Sequence, residues 1–166
     1  MAWILTTEEG EIIESKSYIV YPHGFNFPED AIDVHGITQE IAEEKGRNVN
    51  DVLIEFLSAL KKSRLVAGHN VIFDQKIIGA ELYRLKYNET EILEKPSICT
   101  MRESTDFCAI PTPRGYKYPS LSYLYRKLFG ASFVNVHNAM ADVTATMKCF
   151  FELARRGIIT RPVNNE

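Results

Sequence analysis

Cysteine is scarce in this chain of 166 residues and badly placed for cross-linking. Cys99, Cys108 and Cys149 are odd in number and show no C-x-x-C spacing. That pattern excludes a disulfide scaffold and a thiolate zinc site, and it points to a reducing cytoplasm. Long apolar runs are lacking as well. No stretch approaches the roughly 18–20 residues of a membrane span, and the short run Ala2–Leu5 lacks the basic flank of a signal peptide. Neither G-x-G-x-x-G nor G-x-x-x-x-G-K-[ST] occurs, which removes the dinucleotide-binding and P-loop readings. Basic residues are not in excess: 19 Lys and Arg stand against 22 Asp and Glu, a net charge of −3 and a pI near 5.9. A protein that grips a long duplex through many phosphates is more basic than this. An enzyme that holds phosphate through metal ions instead concentrates carboxylates at its site.

What is present suits one domain spanning residues 1–166, without repeats or low-complexity segments. Trp3–Thr6 and Ser17–Tyr21 read as two strands joined by a turn around Glu8–Gly10. An irregular crossing follows from Pro22 to Pro28, and Thr38 caps a short helix through Ala42. Asn50 is expected to cap a helix in which Val52, Leu53, Phe56, Leu57 and Leu60 recur at three- and four-residue steps. "RLVAG" (Arg64–Gly68) is a short buried strand. A helix from Ile72 to Lys86 turns Ile77, Ile78, Leu82 and Leu85 inward. "SICTM" (Ser97–Met101) is a further strand, and Ile110–Pro119, with three prolines and Gly115, reads as a loop. Ser120 caps a helix through Phe129, and a last helix runs from Asn138 to Arg156, ended by Gly157. A hairpin followed by alternating strands and helices predicts an α/β fold with a mixed sheet.

Two hexapeptides carry the chemistry. "HNVIFD" (His69–Asp74) sits where an apolar strand gives way to a helix, the place where ligands gather in open α/β sheets. "HNAMAD" (His137–Asp142) opens the last helix, and an imidazole there can reach water held by a metal that Asp142 binds. Taken singly, each has an ordinary reading: Asp74 and Asp142 as first-turn acids suited to the helix dipole, His137 as a helix-entry histidine.

Taken together and in this order, the two hexapeptides resemble the second and third motifs of the DnaQ-like DEDDh exonucleases, the family of the proofreading ε subunit of bacterial DNA polymerase III. "HGIT" (His35–Thr38), "CTM" (Cys99–Met101) and "YPSLSYLYRKLFG" (Tyr118–Gly130) extend the resemblance over nearly the whole chain, from Ala2 to about Gly157. It implies a ribonuclease H-like mixed β-sheet flanked by helices, and metal-dependent hydrolysis of phosphodiester bonds at nucleic-acid 3′ ends that releases nucleoside monophosphates. Two Mg²⁺ or Mn²⁺ ions supply that chemistry. By matching position, Asp74 and Asp142 are metal ligands and His137 is the general base. Thr100 and Met101 border the scissile nucleotide by the same analogy, with packing as their ordinary role. Asn70 stands equally between a substrate contact and a loop brace. Arg114, Lys117, Arg126 and Lys127 put positive charge near the loop before the "YPSL" helix, where a nucleic-acid backbone passes or where they form a solvated face. Tyr116 and Tyr118 stack on bases or seal that loop. The implied partners are single-stranded DNA or frayed 3′ ends, with RNA also open, and a DNA polymerase or another replication or repair protein.

The family's first motif, Asp-x-Glu followed by Thr-Thr-Gly, has no counterpart. None of the six aspartates has an acid two positions later. "TTEEG" (Thr6–Gly10) follows the apolar strand and fits a polar turn, so Glu8 and Glu9 are expected to be solvated turn acids. The expectation is a domain truncated at its N-terminus relative to the family, without its first, central strand, so that "AWIL" and "LVAG" face each other across a gap. Two carboxylates are too few to hold two close cations against their repulsion. Catalysis by the chain as written is therefore open. The alternative is a non-catalytic nucleic-acid-binding or protein-interaction module that keeps the exonuclease fold.

Overall fold

The computed structural model describes residues 1–160. β1 (Ala2–Thr6) and β2 (Ile12–Ser17) pair antiparallel, with a register shift between Leu5 and Thr6. The polar turn closes quickly, through Gly10 N–H to the Thr7 carbonyl and Thr7 N–H to the Glu11 carbonyl. The second strand therefore begins at Ile12, earlier than the expected Ser17–Tyr21. Beyond it, Val20 makes only a single bridge to Arg47. α1 (Glu29–His35) follows where no helix was anticipated; its first turn is acidic, Gly36 ends it in the left-handed region, and it buries none of its residues. Without an apolar face it left no periodic signal. α2 (Gln39–Lys45) is capped by Thr38 as expected. α3 (Val49–Lys62) is capped by Asn48 rather than Asn50, because the Asn48 side chain accepts from the Asn50 N–H at 2.8 Å.

β3 (Val66–Gly68) passes directly into α4 (Val71–Arg84); a Cβ at Gly68 would lie 2.9 Å from the Val71 Cβ, so only glycine allows this approach. α5 (Thr90–Leu93) leads into β4 (Ser97–Cys99), which pairs parallel with β3. The crossover through α4 is the usual βαβ solution for parallel neighbours. Two short turns, α6 (Thr100–Glu103) and α7 (Thr105–Cys108), come next. The segment expected as a loop then holds a small hairpin, β5 (Ile110–Thr112) with β6 (Gly115–Lys117). Gly115, at φ 119°, supplies the backbone conformation its tight turn needs. α8 (Leu121–Phe129), capped by Ser120, and α9 (Ala139–Arg155), capped by Asn138, complete the described chain.

Among the described residues the strands form three separate two-stranded ladders, and β1 does not pair with β3. Side chains alternate across β3. Val66 packs into one core, built on Trp3, α3 and Leu82, while Leu65 and Ala67 pack into the other, built on α8 and α9. Helices thus cover both faces, and burial of a side chain such as Leu53 or Leu153 stabilises by about 1.5–3 kcal/mol each. Between the two half-sheets lies a cleft of about 1950 Å³. Ile77, expected to point inward, is 53% exposed because it faces this cleft.

Candidate active site

The cleft is lined by an aspartate from each hexapeptide. β3 ends at Gly68, and Asn70 enters the left-handed region (φ 75°) to turn the chain into α4. His137 does the same (φ 72°) immediately before α9. Such conformations cost non-glycine residues about 1–3 kcal/mol, and they persist where neighbouring structure enforces them. Each turn delivers an aspartate in the first turn of its helix, Asp74 on α4 and Asp142 on α9, and both line the cleft.

Water reaches Asp74 through the cleft, yet the walls crowd the carboxyl. This partial loss of solvent, opposed by a hydrogen bond from its own backbone N–H, raises it above the ordinary carboxylate range. Asp142 accepts at one oxygen from the His137 backbone N–H at 3.3 Å. This contact ties the Asp142 carboxylate to the backbone at the start of "HNAMAD", while His137 itself is exposed and does not line the cleft.

His69 links three elements through its two ring nitrogens. Its Nε2 lies 3.0 Å from the Pro119 carbonyl and its Nδ1 3.0 Å from Thr100 Oγ1. A carbonyl only accepts, so Nε2 carries the proton and Nδ1 accepts from the hydroxyl. Burial depresses the His69 pKa, against the opposing effect of the Pro119 carbonyl. One imidazole therefore joins the end of β3, the start of α6 and the entry to α8, and no local sequence signal marks it. Thr100 is fully buried, with its hydroxyl within reach of both His69 and the Gly68 carbonyl. That placement fits a brace and keeps the side chain away from any substrate. Met101 is half-exposed on α6, Asn70 is exposed, and Lys117 is exposed on β6 between Tyr116 and Tyr118, which are exposed as well. Lys127 is spent on the Cys108 carbonyl at 2.7 Å. None of Asn70, Met101 or Lys117 lines the cleft itself.

Glu8 is exposed in the turn and forms an ion pair with Arg64. It follows the C-terminal end of β1, where Arg64 engages its carboxylate. Asp74 and Asp142 offer the hard oxygens that Mg²⁺ or Mn²⁺ takes. Among the described residues, however, no cluster of three or more His, Cys, Asp or Glu stands ready to hold a metal. The donor set fits part of a divalent-cation centre and is short of what a pair of cations needs. No described helix is long and apolar enough to cross a membrane.

Residues 2–150 match the family model described as RNase_T: Exonuclease. Among solved structures, the chain is similar to E. coli Exonuclease I in complex with a dA16 oligonucleotide (TM-score 0.76, 23% identity, 93% of this chain and 36% of that one). It is similar also to the zinc-ion-bound form of the E. coli ExoI–ssDNA complex (TM-score 0.72, 25% identity, 92% of this chain and 35% of that one). The chain thus spans about a third of the length of these structures. No curated protein sequence matches it. With an aspartate of each hexapeptide lining one cleft, a ribonuclease H-like α/β fold and a family match over most of its length, the chain belongs to the DnaQ-like exonuclease family.

Proposed function

We propose that this chain is a divalent-cation-dependent 3′–5′ exonuclease domain that removes nucleoside monophosphates from single-stranded or frayed DNA ends. The carrying observation is that Asp74 and Asp142, from motifs far apart in sequence, both line one cleft. In this reading they are two of the metal ligands, and Mg²⁺ or Mn²⁺ would supply charge stabilisation at the scissile phosphate. His137, exposed just before α9, is the base. Asn70, Met101 and Lys117 contact the nucleic acid around the cleft, and Thr100 acts through His69. E. coli Exonuclease I, whose fold this chain shares, is described in complex with oligonucleotides, which favours single-stranded DNA over RNA as the first substrate to try. The three free, buried cysteines suit a reducing cytoplasm, and a replication or repair polymerase is the fitting kind of protein partner.

The test is hydrolysis of 5′-labelled single-stranded DNA and RNA oligonucleotides with Mn²⁺, by this polypeptide and by its His137→Ala and Asp142→Asn variants. Stepwise shortening from the 3′ end that both variants abolish supports the reading. Degradation that survives both variants sinks it. A second reading, a non-catalytic nucleic-acid-binding module, is favoured by the short donor set. Metal-independent oligonucleotide binding without cleavage would support it.

A further inference from the structure

We infer that the β5–β6 hairpin is a platform for single-stranded nucleic acid, on which Tyr116 and Tyr118 stack against bases while Arg114 and Lys117 meet phosphates. Charge points there first. Residues 107–141 hold no Asp or Glu, whereas the rest of the chain holds all 22. The same stretch carries four cations, Arg114, Lys117, Arg126 and Lys127. Two of these are engaged: Lys127 Nζ donates to the Cys108 carbonyl at 2.7 Å, and the Arg126 guanidinium lies 5.9 Å from the centre of the Tyr123 ring. The other two belong to the hairpin. Among the described residues, the side chains of Arg114, Tyr116, Lys117 and Tyr118 have no hydrogen-bond, ion-pair or ring partner. Rings that sealed the loop would be covered, yet Tyr116 is 54% exposed and Tyr118 57%.

The frame beneath these side chains is fixed at several points. Ile110 pairs with Lys117 and Pro111 with Tyr116, and Ile110 packs into the core of α8 and α9. Thr112 Oγ1 donates to the Gly115 carbonyl at 2.8 Å and accepts from the Arg114 N–H at 3.3 Å. Pro119 keeps Tyr118 in extended backbone, so Tyr116 and Tyr118 project to one side, about 6.8 Å apart along the strand. Stacked bases are separated by about 3.4 Å, so the gap admits one base between the two rings. Cations alternating with open rings match a single strand, whose bases are free to stack and whose phosphates recur at every nucleotide. A duplex hides its bases, and an acidic peptide answers the cations alone. The exit of the hairpin is also tied to the cleft. Pro119 is fully buried, and its carbonyl accepts from His69 Nε2 at 3.0 Å, at the start of the hexapeptide that ends in Asp74. A strand with its end at Asp74 therefore passes onto the hairpin. That these upstream nucleotides belong to the strand being cut rests on the proposed function.

The experiment measures fluorescence anisotropy of a labelled oligothymidylate of about 16 nucleotides with the whole polypeptide. It is run in EDTA at several salt concentrations, so that no cleavage enters the reading. Tyr116→Ala/Tyr118→Ala is expected to weaken binding at least about tenfold, and Tyr116→Phe/Tyr118→Phe to keep it within about twofold, because the ring and not the hydroxyl stacks. Arg114→Gln/Lys117→Gln should make the fall of log K with log salt shallower by about 1.4, the figure for two phosphate contacts on a single strand. No binding by the unaltered polypeptide, full affinity in the alanine pair, or equal affinity for a duplex of the same length overturns the inference. Equal displacement by a poly-glutamate peptide assigns the surface to an acidic protein and overturns it too. Hydrolysis with Mn²⁺ is scored separately. Hairpin-dependent binding by a chain that cuts nothing defeats the proposed function and leaves the platform in place. Cleavage that His137→Ala abolishes, with the hairpin variants binding normally, keeps the function and removes the platform.

Discussion

Replacing His69 tests how the site is held together. The imidazole donates to the Pro119 carbonyl and accepts from Thr100, both at 3.0 Å, and Pro119 and Thr100 are fully buried. His69→Ala leaves that carbonyl without its donor. A buried polar group so stranded costs about 1–3 kcal/mol, and the lost ring adds a small cavity. The expected destabilisation is about 2–3 kcal/mol, a fall in Tm of roughly 4–12 °C for a domain of this size. Urea denaturation measures it, and a double-mutant cycle with Thr100→Val isolates the shared contact, with an expected coupling of about 0.5–1.5 kcal/mol. The pH dependence gives an independent reading. Burial holds the folded His69 below its ordinary value of 6.5, so the unfolded chain binds the proton more readily. This contribution to stability is complete above pH 6.5 and is lost as the pH falls from 6.5 toward the depressed folded value. His69→Gln should flatten that segment of the stability profile. A coupling near zero, together with an unchanged pH profile in His69→Gln, would refute the bracing role.

Two further outcomes follow from the same geometry. Asp74 is raised by crowding at the cleft wall, so its ionised form opposes folding once the pH exceeds its unfolded value. In metal-free buffer at pH 7, Asp74→Asn should raise Tm by a few degrees, worth no more than about 1 kcal/mol because water still reaches the group; the gain should vanish below pH 3, and a lower Tm at pH 7 would contradict it. Gly46 ends α2 against backbone: a Cβ there would lie 2.2 Å from the Ala42 carbonyl oxygen and 2.7 Å from Tyr21 Cα and N. Gly46→Ala should therefore cost about 3 kcal/mol or more by chemical denaturation, and a neutral substitution would mean that the Tyr21–Arg47 contact yields freely.

Local chemistry determined much of this protein. The caps at Thr38, Ser120 and Asn138, the periodic face of α3 and the two hexapeptides are short-range features, because capping and helical periodicity act within a few residues. The same reading exposed the missing acid pair and anticipated that two strands would face each other unpaired. The tertiary structure decided the rest. α1 has no apolar face to betray it. The start of β2 depended on how tightly the Thr7–Glu11 turn closed. The inward prediction for Ile77 failed because the cleft lies where a neighbour was assumed. His69 and Thr100 meet Pro119 across distances that no periodicity spans. The placement of Asp74 and Asp142 belongs to both levels: sequence set each aspartate in the first turn of its helix, and only the packing of α9 against β1 and β3 brought both to the lining of one cleft.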